Sequence, residues 1–328
     1  MSVYQKVSGH TRVVDNLSEY LVLKGYKVTI GAFRFEKEPP KNVKKISLTY
    51  SNIFSNLKKF DIIHNHQTKM NFFALFCAKP FVFQYHGASM KLQKINLVIS
   101  LLLCQKKISR LVPVSRSALD QLPKFAENIP TEIIYNGINV DFYKNSVITD
   151  SKKGTPHLFF AGNLFKYKNV QLLIKSIKKL EKKFPKIYFE IAGEGEFKPE
   201  LQKIIEVNNL QDQISLLGRI DDDELRKKYS TADLYVSAST FETFGMPLLE
   251  AMSCGKPVAV SDIPAHKELV EGSGAGMYFE QNVEDVVEKI TTVYENQKKL
   301  GEKGREFAEK HDWKKIADEY GKLYDKLV

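Results

Sequence analysis

Cysteine is scarce in this chain: Cys77, Cys104 and Cys254 are the three among 328 residues. They form no CxxC pair and stand in apolar contexts, which excludes a disulfide framework and fits a reducing compartment. Long apolar runs are lacking too. The best, residues 95–104, is too short to span a membrane, and the polar first twenty residues do not read as a signal peptide. There is no GxxxxGK[ST] phosphate loop, since Gly255-Lys256 is followed by Pro257. Gly193-Glu194-Gly195 imitates the start of a dinucleotide fingerprint, but Lys198 stands where the third glycine belongs.

Positive charge, by contrast, is in excess: 49 Lys and Arg against 39 Asp and Glu give a net +10. Nucleic acid, an anionic membrane face and a phosphorylated substrate are the partner classes this suggests. Part of the excess has a blander explanation. Lys175, Lys178, Lys179, Lys182, Lys183 and Lys186 oppose Leu172, Leu173, Ile177 and Leu180, as on the wet face of an amphipathic helix.

The length predicts two domains. Short apolar strands alternate with helices, which predicts α/β domains with parallel sheets covered on both faces. The first series has a helix at 13–24, strands at 28–30, 61–64, 81–85, 111–115 and 133–135, and a helix at 92–107. A strand should precede the first helix, and only residues 1–4 remain to supply it, so it reads as missing or shortened. The 92–107 helix, flanked by Lys91, Lys94, Lys106 and Lys107, reads as a core helix; the alternative is a helix lying on an anionic bilayer. Residues 145–156 are polar and aperiodic, as in a linker. A second series follows, with strands at 158–160, 188–192, 214–217, 234–236 and 258–260 and helices between them, then helices at 265–271, 283–295 and 313–327. The expected domains are 1–146 and 147–310, with 311–328 a helix packing back on the first.

Residues 241–262, FETFGMPLLEAMSCGKPVAVSD, run from a loop through a short helix into a strand. Pro247 suits a first helical position, and Glu250 is expected in the first turn, where the dipole favours a carboxylate. Gly245 allows close backbone approach at a helix N-terminus, a ready site for phosphate. Glu242 must be carried by the preceding loop. The strand-end loop at 162–169, GNLFKYKN, offers Lys166 and Lys168 to a diphosphate leaving group. Asp221-Asp222-Asp223 reads as a helix cap rather than a metal site. His64 and His66 share a strand face at a spacing that could bind zinc, but no nearby cysteine or carboxylate pair completes the set, so a structural or substrate-contacting role is favoured. His86, before Gly87 at a strand end, reads equally as turn or site.

Taken together, these motifs resemble a known family. The chain is similar over essentially its whole length to retaining glycosyltransferases of family 4, built as two Rossmann-like domains facing across a deep cleft (GT-B). Glu242 and Glu250 match that family's E-x7-E motif, and Asn136-Gly137-Ile138-Asn139-Val140-Asp141-Phe142 resembles its NG(V/I)D-x-x-F signature. Ala192-Gly193-Glu194-Gly195, Leu217-Gly218-Arg219-Ile220 and Ala232-Asp233 also fit.

The resemblance implies transfer of a hexose from a UDP- or GDP-sugar to a glycan or lipid-linked acceptor, by front-face attack with retention and without a metal ion. It implies no cofactor, the nucleotide-sugar being a co-substrate, and cell-surface glycan biosynthesis in the cytoplasm or peripherally on the inner membrane face. Glu250 would bind the ribose and Glu242 the sugar. Backbone around Gly245, Met246, Pro247 and Leu248 would hold the diphosphate, and Lys168 would stabilise it as it leaves. Arg219 and Ile220 would flank the base, with Glu194 in the neighbouring turn. Gly9 matches the glycine loop near the phosphates and His86 the histidine near the sugar. Asn163 stands where the family usually has an arginine, so one cation for the leaving group is missing. Nucleic acid is not an expected partner on this reading. The alternatives are a sugar-nucleotide epimerase or phosphorylase of the same fold, or a non-catalytic basic protein that binds nucleic acid or anionic membrane.

Overall fold

Unbroken apolar runs such as 158–160 form strands buried on both faces, and only helices laid over a parallel sheet supply two such faces. The computed structural model describes residues 3–5, 9–144 and 153–328. It divides into two compact units: Met1–Gly137 with His311–Val328, and Ile138–Lys310.

Unit 1 contains β1 (Val3–Tyr4), α1 (Gly9–Leu23), β2 (Thr29–Ala32), β3 (Arg34–Phe35), β4 (Lys44–Ser47), α2 (Ile53–Leu57), β5 (Ile63–Asn65), β6 (Phe81–Tyr85), α3 (Lys91–Cys104), β7 (Arg110–Pro113) and α4 (Arg116–Leu119). Its strands form three separate parallel sheets, β5-β6-β7, β2-β4 and β1-β3. Among the described residues before α1, Val3 and Tyr4 pair with Arg34 and Phe35. The strand expected at 133–135 is not formed as such. Glu132 and Ile134 instead donate single backbone bonds to Leu111 and Pro113, at 3.0 and 3.2 Å, beside β7.

Unit 2 contains α5 (Val140–Lys144), β8 (His157–Ala161), α6 (Val170–Lys183), β9 (Tyr188–Ala192), α7 (Lys198–Val207), β10 (Ile214–Gly218), α8 (Asp222–Thr231), β11 (Leu234–Ser237), α9 (Met246–Ser253), β12 (Val258–Ser261), α10 (Pro264–Ser273), β13 (Gly276–Phe279), α11 (Val283–Glu295) and α12 (Gln297–Lys310). All six strands join one parallel sheet in the order β10-β9-β8-β11-β12-β13. The core is a continuous apolar mass that includes Phe160, Leu173, Ile177, Phe189, Ile191, Val236 and Ile290. Asp221 caps α8, accepting from the Glu224 N–H at 2.8 Å. The division falls at Gly137 rather than at 146 because α5 packs on α9, and the Cys254 thiol meets the Tyr143 carbonyl. The expected linker lies largely outside the described residues.

The chain then returns to unit 1 as α13 (Trp313–Asp325). This helix lies against α1. Its Trp313, Ile316, Tyr320 and Leu323 join Val13, Leu17, Leu21, Val82, Val112 and Ile134 in one core.

The α3 helix is not the core helix favoured from its sequence. Leu97, Ser100, Leu101 and Cys104 are buried, but Leu92 and Leu103 are 64% and 58% exposed, and Ile95, Val98, Ile99 and Leu102 also face solvent. From Leu97 onward the helix is apolar nearly all round, and unit 1 covers only one side of it. Among the described residues no helix is long and apolar enough to cross a membrane.

Candidate functional site

Because the strands of unit 2 all run the same way, the residues that follow each of them gather along one edge of the sheet. In an open α/β sheet that edge binds ligands, above all where the strand order reverses. Here the reversal lies between β8 and β11.

The loops at this point carry the residues singled out by the motifs. Lys168, in a turn after β8, donates to the Glu242 carboxylate after β11. Ser239 donates to the same Glu242 oxygen at 2.9 Å. The two loops are also tied through backbone, the Thr240 N–H meeting the Tyr167 carbonyl at 2.8 Å. Lys168 and Glu242, assigned separate tasks from sequence, therefore form one pair. Lys166 and Asn163 in the same loop are exposed.

The β9 loop lies beside them. Gly193 is required there: at φ +144°, a side chain would run into the Gly162 carbonyl. Glu194, expected near the nucleotide, accepts from Lys198 at 2.6 Å. Arg219 and Ile220 follow β10, Arg219 exposed and Ile220 half-buried.

Helix α9 begins at Met246, so Pro247 is its second residue and Glu250 its fifth. Glu250 therefore lies beyond the first turn, and the dipole does not explain it. A hydrogen bond does: Glu250 is 6% exposed, and its carboxylate accepts from the Tyr229 hydroxyl at 2.8 Å. Gly245 stands at the N-cap with φ +96° and no side-chain cap. The N–H of Leu248 turns back to the Gly245 carbonyl at 2.9 Å.

Three residues of this region were not found from sequence. Tyr229 holds Glu250. Tyr235 lies against Tyr229, ring centroids 5.9 Å apart, and burial with the charges of Glu242 and Glu250 pushes its hydroxyl pKa well up. His266 is fully buried beside Gly245 and held through Nδ1 by Ser261. Burial lowers its pKa to about 4, so the ring is neutral. None belongs to a short motif; only the packing brings them in.

Unit 1 carries a separate cluster. Gly9 opens α1 and is exposed. His10 follows it, His66 follows β5, and His86 follows β6. His10 Nε2 lies 2.7 Å from the His66 carbonyl, and His66 Nδ1 lies 3.2 Å from His86 Nε2. His64 turns instead to the Tyr324 hydroxyl, at 2.7 Å. Burial holds all four imidazoles below their ordinary pKa, His64 at about 3. Sequence paired His64 with His66; the fold groups His66 with His10 and His86.

Residues 141–311 match the family model described as glycosyl transferases group 1, and residues 7–142 match that for glycosyltransferase family 4. An uncharacterized glycosyltransferase of Methanocaldococcus jannaschii is 31% identical over 222 residues, 66% of this chain and 60% of that relative's length. The O-antigen biosynthesis glycosyltransferase WclY of Escherichia coli is 27% identical over 303 residues, 84% of this chain and 82% of its own. Among solved structures, HepE of Anabaena in complex with UDP superposes over 100% of both chains with a TM-score of 0.83 at 18% identity. That likeness establishes the two-domain Rossmann-like GT-B fold.

Proposed function

This chain belongs to the group 1 glycosyl transferases, and from that premise we propose that it moves a hexose from a UDP- or GDP-sugar to a glycan or lipid-linked acceptor with retention, without needing a metal ion. The observation that carries the reading is the Lys168–Glu242 pair at the strand-order reversal, in the same unit as the α9 start, which has no side-chain cap. A departing diphosphate needs positive charge, and a lysine with a helix N-terminus supplies it. The UDP complex of HepE supports a nucleotide-sugar donor.

In this mechanism the acceptor oxygen attacks the anomeric carbon on the face from which the diphosphate departs. The carbon–oxygen bond to the diphosphate breaks, and the leaving group takes the acceptor's proton. Lys168 and the backbone at Gly245 and Met246 stabilise the growing negative charge. Glu242 orients Lys168 and meets the sugar, while Glu250, braced by Tyr229, receives the ribose hydroxyls. His86 is proposed to act on the sugar side, as its match to the family's histidine implies.

A thermal-shift screen against UDP-, GDP- and ADP-sugars should give a raised melting temperature with one base. Glu250→Ala should abolish most of that shift. Retained donor binding in Glu250→Ala, with an unaltered rate of transfer, would overturn the site.

The acceptor side is proposed to rest on an anionic membrane through α3, which puts the protein in the cytoplasm against the inner membrane face. Support comes from the exposed apolar side of α3 together with Lys91, Lys94, Lys106 and Lys107, all exposed at its ends. Phe76, 61% exposed, adds apolar surface in unit 1. An amphipathic surface of this composition buries its apolar side chains at the headgroup boundary and pairs its lysines with lipid phosphate. Sedimentation with phosphatidylglycerol vesicles should fall sharply when the four lysines are reversed to glutamate; unchanged sedimentation would exclude α3 as the anchor.

A further inference from the structure

Three imidazoles from three separate elements meet in unit 1. His10 stands in the first turn of α1, His66 follows β5 and His86 follows β6. One nitrogen from each ring lies within 4.8 Å of the other two. Two nitrogens bound to one tetrahedral zinc ion stand about 3.3 Å apart, given Zn–N bonds of about 2.0–2.1 Å. His66 Nδ1 and His86 Nε2, at 3.2 Å, are already at that separation. Bringing in the third ring needs at most about 1.5 Å of closure.

An imidazole above its ordinary pKa of about 6.5 carries one lone pair. In the His66–His86 hydrogen bond one nitrogen holds the proton, and an ion entering there shifts that ring to its other tautomer. His10 Nε2 meets the His66 carbonyl at 2.7 Å. A ring that donates there keeps its lone pair on Nδ1, and a backbone carbonyl behind a ligand histidine is a common arrangement in metal sites. His64 packs against His66 with ring centroids 4.2 Å apart and the planes tilted by 34°.

We propose that His10, His66 and His86 form a binding site for one borderline divalent ion of the zinc class, held by one nitrogen from each ring with a fourth position open. An all-imidazole set selects Zn²⁺, Co²⁺, Ni²⁺ or Cu²⁺ and disfavours Mg²⁺, which prefers oxygen ligands. The site is therefore unrelated to a magnesium-assisted diphosphate. A consequence, resting on the transfer reading above, is inhibition: an ion on His86 removes the nitrogen meant for the sugar, so zinc reversibly blocks transfer.

The test uses the untagged full chain stripped of metal. Calorimetry with Zn²⁺ should give one ion per chain with micromolar or tighter affinity. Co²⁺ should produce the visible absorption of a tetrahedral complex, and millimolar Mg²⁺ should neither bind nor compete. His10→Ala and His86→Asn should each weaken Zn²⁺ binding at least tenfold, while parental fluorescence from Trp313, the single tryptophan and part of the unit 1 core, shows that the variants are folded. Affinity within threefold of the parent in both variants, or only weak binding of several ions, would overturn the site. Tight binding that leaves transfer unaltered would overturn the inhibition alone. Loss of transfer activity in Glu250→Ala bears on the transfer reading and not on zinc affinity.

Discussion

The two units use the same alternation of strand and helix and reach different degrees of closure. Unit 2 places all six strands in one sheet around a continuous apolar core. Among the described residues, unit 1 divides seven strands among three sheets, takes in a helix from beyond unit 2, holds four half-buried histidines and leaves one side of α3 uncovered. A single sheet brings the Lys168 and Glu242 loops together along one edge. Divided sheets leave more of unit 1 as loop and half-covered helix.

Acidification should separate the units most widely. A histidine whose folded pKa is lowered contributes stability above its unfolded pKa of 6.5, and that stability is lost as pH falls toward the folded value. One ring with the pKa of His64 forfeits roughly 3 kcal/mol by pH 4. Unit 1 holds four lowered rings and unit 2 one, His266, so hydrogen exchange between pH 7 and pH 4.5 should show unit 1 opening first. Simultaneous opening would break the comparison. Trp313→Ala should destabilise unit 1 by about 3–5 kcal/mol through the lost core volume, with unit 2 amides unaffected.

Two further changes address unit 2. Lys168→Ala should lower the turnover of transfer by about 10²–10³-fold with little change in donor affinity, measured by steady-state kinetics. Smallest is Tyr229→Phe, which leaves Glu250 buried without that donor and should cost about 1–3 kcal/mol of stability in denaturant melts. It should also weaken donor binding; an unchanged donor affinity would remove Glu250 from ribose recognition.

How much of this was legible beforehand follows the same division. In unit 2 the apolar strands, the Asp221 cap and the loops bearing Lys168 and Glu242 could be read directly, because a parallel sheet places motif residues at predictable strand ends. What escaped was α12. Its sequence, QKKLGEKGREFAEK, has almost no apolar stripe, because it packs on α9 through glycine. A side chain at Gly301 would strike the Gly255 carbonyl, and Gly304 lies against Met252. Close backbone approach buries a helix without the large side chains that periodicity detects. Strand β13, four residues beginning with glycine, escaped for want of length. In unit 1 the grouping of His10 with His66 and His86 depends on three elements distant in sequence, and no local spacing encodes it. The exposure of α3 was equally hidden, since an apolar run looks the same whether a partner covers it or not.

The return of the chain to unit 1 has a consequence for how the protein is made. Val13, Leu17 and Leu21 of α1 leave the ribosome before all of unit 2, yet the Trp313, Ile316 and Tyr320 that cover them leave after it. Unit 2, contained in one uninterrupted stretch of chain, can complete its fold while unit 1 waits. The usual order of domain folding during synthesis, N-terminal first, is thereby inverted. For most of translation the apolar face of α1 stands open to chaperones and to misassembly.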